Sequence, residues 1–107
     1  MTGVQTCALP ILAHAVGIDT EDAFSLFQHF NPGQFLPARA ARIASGKFDE
    51  PSFEVAMARK DVRLMVEQAR RGGVGLYVMP GVMAMFDAAI ARGDGALDAA
   101  AAARAPD

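Results

Sequence analysis

The sequence predicts an all-α fold, a compact bundle of five to six helices around a central helix spanning residues 52–72. Three observations lead there. Alanine is abundant, tryptophan is absent and β-branched residues are few, which favours helix over strand. Apolar residues recur at steps of three and four along most of the chain. The one extended apolar segment, Val74-Gly75-Leu76-Tyr77-Val78-Met79, has no second strand to pair with and reads as a buried crossing between helices. At 107 residues the chain makes one domain at most, and it carries no internal repeat.

Taken in order, Leu12 to Ile18 reads as the tail of a helix ending near Gly17. Asp19 or Thr20 then caps a helix over Glu21–Phe30, with Glu21 and Asp22 in its first turn and His29 at its end, where each charge suits the helix dipole. Phe24, Phe27 and Leu26 are its inward candidates. Asn31-Pro32-Gly33 breaks the chain. Helix resumes over Gln34–Ser45, with Pro37 in its first turn and Leu36, Ala40 and Ile43 as its apolar stripe. Arg39 and Arg42 lie three apart; an anion could sit between them, but a solvated face is the plainer reading. Gly46 ends this helix, and Phe48 is the one apolar anchor of the connector that follows.

The central helix opens at Pro51-Ser52 and closes on Gly72-Gly73 after Arg70-Arg71. Val55, Ala58, Val62, Met65 and Ala69 share one face. Phe53, Met57 and Leu64 lie on roughly the opposite face, with Lys60 among them. Two apolar stripes on one helix mean packing from two sides. Lys60 is the residue that packing alone explains least: an ammonium on an apolar face needs an anion or acceptor, or else snorkels past Met57 and Leu64 to water. Pro80 opens the next helix, Gly81–Arg92, lined by Val82, Met83, Phe86, Ala89 and Ile90. Met79, Met83 and Met85 read as core filler rather than as soft-metal ligands. Gly93-Asp94-Gly95 breaks the chain, and Asp98 caps a short alanine-rich helix over Ala99–Arg104.

The formal charge of −2 gives no nucleic-acid footprint, and no apolar run is long enough for a bilayer. The start lacks the basic region of a signal peptide. A single cysteine, Cys7, excludes an internal disulfide and fits a reducing cytosol. Cys7, His14 and His29 are not spaced as ligand pairs, so no metal site is expected. Residues 1–11, MTGVQTCALPI, resemble the in-frame translation of a common sequencing-library adapter, with an initiating GTG written as Met. On that reading residues 1–11 are a non-native leader, and residues 12–107 are a helical domain truncated at its N-terminus.

From Gly46 onward an ordered set of features resembles one family. A phenylalanine follows a helix-ending glycine (Phe48), and a second (Phe53) precedes a long helix with Lys60-Asp61-Val62-Arg63-Leu64. A glycine turn, Gly72-Gly73, leads to an apolar segment with Pro80, an alanine-rich helix, and then Gly93, Gly95 and Asp98 as Gly-x-Gly-x-x-Asp. The set is similar to the C-terminal helical domain of the NAD(P)-dependent β-hydroxyacid dehydrogenases, the group containing 3-hydroxyisobutyrate dehydrogenase. The resemblance implies a 6-phosphogluconate dehydrogenase C-terminal-like fold, with NAD or NADP as cofactor in the intact enzyme and Lys60 as a cofactor-binding residue. It also implies a Rossmann domain and a second copy of the chain as partners; the charge and hydropathy speak against nucleic acid and membrane, and the single cysteine points to a cytoplasmic location.

The departures are equally informative. The dinucleotide fingerprint Gly-x-Gly-x-x-Gly is absent, and the family's Gly-x-x-x-Lys-x-x-x-Asn would fall before Leu12. Ala99 stands where the family usually has serine after the aspartate. No catalytic residue is therefore assigned, and no turnover is expected from these 107 residues alone. A free-standing helical protein-interaction module is the alternative of a different class.

Overall fold

A computed structural model of the chain describes residues 10–104. Residues 10–15 are helical. There follow α1 (Thr20–His29), a 3-10 turn (Pro32–Phe35), α2 (Leu36–Ser45), α3 (Val55–Arg71), α4 (Met79–Ala91) and a 3-10 segment (Ala99–Ala103). The described residues hold no strand, only one isolated antiparallel bridge between Glu54 and Asp98. The all-α expectation is met. Residues 1–9 of the stretch read as a leader lie outside the described residues.

The core is the seam between α3 and α4. Val55, Ala58 and Val62 of α3 cluster with Met79, Phe86 and Ala89 of α4, and Phe48, Ala100, Ala101 and Ala102 join them. Met65, Val66, Leu76, Val82 and Met83 are half-buried around this cluster. The alanines suit this place: they have no side-chain entropy to lose and let the 3-10 segment lie close against both helices. Met79 and Met83 are packing residues as expected, whereas Met85, read with them as core filler, and Ile90, read as part of the apolar lining, are exposed.

The central helix begins at Val55 rather than Ser52, and the reason is tertiary. Its first free amides are taken by another segment: the Val55 N–H donates to the Leu97 carbonyl (2.9 Å) and the Ala56 N–H to that of Gly95 (3.0 Å). Ser52 is thereby free to serve elsewhere. At the far end, the Gly73 N–H bonds the Arg70 carbonyl and the Val74 N–H that of Ala69, a Schellman ending. Gly72 is required by space: a Cβ there would collide with the Ala15 carbonyl and Cβ. Helical residues 10–15 thus cross close against the end of α3.

Two expectations are corrected. The segment 74–79 is not a buried crossing. Val74 and Leu76 turn inward and Met79 is buried as the first residue of α4, while Tyr77 is 95 % exposed and Val78 exposed too. The chain turns at Tyr77–Val78 to enter α4, with Val78 already in the right-handed helical region, and the turn carries both side chains outward.

Nor do α1 and α2 put apolar residues into the core; neither has a buried residue. Phe24, Leu26, Leu36 and Ile43 are exposed, and Phe27 is half-buried with its ring 6.3 Å from that of Phe24. In α2 the half-buried side chains are its two arginines. The helix has turned its charged face to the core, because a buried anion awaits it there.

Candidate functional site

Two features stand out: an uncovered face on α3 and a buried carboxylate behind it. The face follows from helix periodicity. With Val55, Ala58, Val62 and Ala69 committed to the core, Met57, Lys60 and Leu64 must point the other way. Phe53, in the bend ahead of the helix and outside its periodicity, is exposed as well. Their exposures are 37 % for Phe53, 43 % for Met57 and 44 % for Leu64, and the Lys60 side chain is 45 % exposed. Among the described residues the Lys60 ammonium pairs with the adjacent Asp61, at 3.5 Å. That carboxylate is itself half-exposed and sits on the same helix. Lys60 therefore presents a cation, loosely held, in the middle of an outward apolar strip.

A side chain beside this face ties α3 to α4. Arg59, one residue before Lys60, makes a fork with Asp87 on α4: Nε to Oδ1 at 2.7 Å and Nη2 to Oδ2 at 3.1 Å. The Asp87 hydrogen bond and charge hold the Arg59 guanidinium above its ordinary pKa, against the opposing effect of burial.

The buried carboxylate is Asp98, with no solvent exposure. Oδ1 accepts from Arg39 Nη1 (3.1 Å) and the Ala100 N–H (3.0 Å). Oδ2 accepts from Arg42 Nη1 (2.7 Å), the Ser52 N–H (2.9 Å) and Ser52 Oγ (3.0 Å). Burial alone would push this carboxyl up. The amide of Ala100, the amide and hydroxyl of Ser52 and the Arg42 charge outweigh it, and the Asp98 pKa lies below the usual carboxylate value.

A second buried aspartate, Asp94, follows Gly93, whose φ of +92° closes α4. Asp94 pairs with Arg92 Nε at 3.3 Å and with Arg104 Nη2 at 3.0 Å, pinning the end of the 3-10 segment.

Asp98 performs the capping its sequence position predicts, at the Ala100 amide. Arg39 and Arg42 are not a solvated face; they are its ion-pair partners. A signal existed, since two arginines one helical turn apart are matched by an aspartate ahead of an alanine run. Amphipathicity arguments weigh apolar residues and pass over it. Lys60 shares the outward face of α3 with Met57 and Leu64, as its spacing requires, with Phe53 exposed ahead of the helix; His14 and His29 are exposed and join no cluster of metal-ligating residues among those described. No helix among the described residues is long and apolar enough to cross a membrane.

The described residues form a helical domain with one core seam and a second, exposed apolar face that carries a cation. The family described as "NAD-binding of NADP-dependent 3-hydroxyisobutyrate dehydrogenase" matches residues 3–105, and the chain belongs to that family. No curated protein sequence matches the chain. Two solved structures share its fold with a TM-score of 0.79 each. Both are of the reductive aminase from Aspergillus terreus. One is in complex with NADPH4, cyclohexanone and allyl amine, at 18 % identity, and the other with NADPH and ethyl-5-oxohexanoate, at 17 %. In each case 94 % of this chain is covered but only 35 % of the aminase chain, so the chain spans about a third of those proteins.

Proposed function

We propose that this domain serves an NAD(P)-dependent oxidoreductase acting on a small β-hydroxyacid, for which it supplies a cofactor-contacting face and surfaces for oligomerisation. Family membership supports the oxidoreductase reading over an interaction module without catalytic history. The observation that carries the proposal is the exposed apolar set Phe53, Met57 and Leu64 around Lys60, whose ammonium pairs, among the described residues, with a neighbouring surface carboxylate.

The strip fits its proposed occupant. A nicotinamide cofactor combines flat, largely apolar ring surface with phosphate charge, and these residues offer apolar contact with a point cation among them. When bound, the cofactor would accept or deliver the hydride. On this side of it, Lys60 would bind and orient, and Phe53, Met57 and Leu64 would exclude water. Turnover would also require a dinucleotide-binding domain and a catalytic lysine, neither of which has its motif in these 107 residues.

The test is a titration of the isotope-labelled chain with NADPH, followed by amide NMR. Shifts concentrated at Phe53, Met57, Lys60 and Leu64 are expected, together with no hydride transfer to or from a hydroxyacid. Shifts absent or scattered over the surface would defeat the cofactor face. Measurable turnover by the chain alone would defeat the division of labour.

A further inference from the structure

The buried α3–α4 seam is an apolar cluster, with the Arg59–Asp87 pair at its surface, and none of the Asp98 side-chain hydrogen bonds comes from α3 or α4. The donors to this carboxylate come instead from three places: α2 through Arg39 and Arg42, the lead-in to α3 through Ser52, and the 3-10 segment through Ala100. α2 contributes no buried residue, and Arg42 also donates to the Glu50 carbonyl at 2.8 Å, so polar contacts to this region are its main inward attachment. On the other side of the carboxylate, Ser52 is followed by Phe53. The Phe53 carbonyl accepts from the Ala99 N–H at 2.7 Å, while its side chain is exposed just ahead of α3. The Asp98 N–H donates in turn to the carbonyl of Phe48, the single buried anchor between Gly46 and Pro51.

We propose that Asp98 is a latch that couples α2 to the Ser52–Phe53 lead-in of the Lys60 face, so that the two hold their positions or lose them together. The role of Asp98 as a positioning residue for a cofactor rests on the function proposed above; the coupling itself does not. One carboxylate oxygen, Oδ2, is shared between the two elements, with Arg42 and Ser52 meeting on it, while Oδ1 ties Arg39 of α2 to the Ala100 amide of the 3-10 segment. Arg39 and Arg42 are the charged groups facing it from α2, and Glu54 is its neighbour across the backbone bridge. Withdrawing the arginines leaves a buried anion held by neutral donors alone, which favours water entry at the same point where Ser52 is bound.

The experiment is amide hydrogen exchange near neutral pH on the 107-residue chain, comparing the wild type with Asp98→Asn, the double variant Arg39→Gln/Arg42→Gln, and Arg42→Lys. Exchange is expected to quicken about tenfold or more at Ser52, Val55 and Ala56, and along α2, in both Asp98→Asn and the double variant. Val62, Ala69 and Ala89 should change by less than about twofold. Arg42→Lys, which keeps the charge, should recover most of the protection.

A double variant that frees α2 and leaves Ser52, Val55 and Ala56 at wild-type rates overturns the latch. So does equal damage from Arg42→Lys. Should Asp98→Asn fail to fold, the double variant decides alone. The NADPH titration separates the two ideas: coupling without NADPH shifts retires the cofactor face and keeps the latch, and shifts without coupling do the reverse.

Discussion

A carboxylate with no solvent exposure is stable in a helical protein only when its lone pairs are filled, and those of Asp98 accept five hydrogen bonds. Replacing it by asparagine should cost about 3 kcal/mol in thermal or urea unfolding, because two arginines lose their anion. The sign of the pH dependence follows from its lowered pKa. A carboxyl whose folded pKa lies below its unfolded one contributes stability above the unfolded value, and that contribution is lost as pH falls through the folded value. The gap between wild type and Asp98→Asn should therefore be constant through neutral and mildly acidic pH and close as pH drops below about 4. Half of this centre is legible in the sequence. Asp98 ahead of an alanine run is a visible cap, whereas its pairing with arginines 59 and 56 residues upstream is set by tertiary folding alone.

Among the elements, α3 is the most legible. Its two apolar stripes are both real, one buried and one exposed, because the period of 3.6 leaves no other arrangement. Its start is not legible, because the caps are carbonyls of Gly95 and Leu97 rather than a local side chain. α1 and α2 are placed correctly, but their faces are not readable, since an apolar stripe says that something covers it and not what does.

Glycines separate local from tertiary demands. Gly72→Ala should destabilise by about 1–3 kcal/mol, with amide protection lost first in residues 10–18, where Ala15 lies against it. Gly81 is a contrasting case within α4: a Cβ there meets nothing within 4 Å, and its backbone is not left-handed. Gly81→Ala should raise stability by about 0.5–1 kcal/mol, read as a higher Tm.

At the scale of the molecule, the exposed apolar residues are too many for a surface meant to stay bare. Phe24, Leu26, Phe35, Leu36 and Ile43 lie on the α1–α2 side, and Phe53, Met57 and Leu64 on the outward face of α3. On the proposed function the first group meets a second copy of the chain and the second group meets the cofactor side. Size-exclusion with light scattering should accordingly give a mass above that of one chain, falling to the monomer in a Phe35→Ser/Leu36→Ser variant; a monomeric wild type at high concentration would contradict it.

The all-α architecture and the family were legible because they rest on an ordered series of local features. What meets the exposed faces was not, since periodicity shows that a face is apolar and not what it contacts. The most direct measurement is the NADPH dissociation constant of wild type against Lys60→Ala, taken from the NMR titration. Expected is a weakening of about tenfold or more, with Arg63→Ala, on the neighbouring exposed strip, unchanged. Equal affinity of wild type and Lys60→Ala would contradict the assignment of this face to the cofactor.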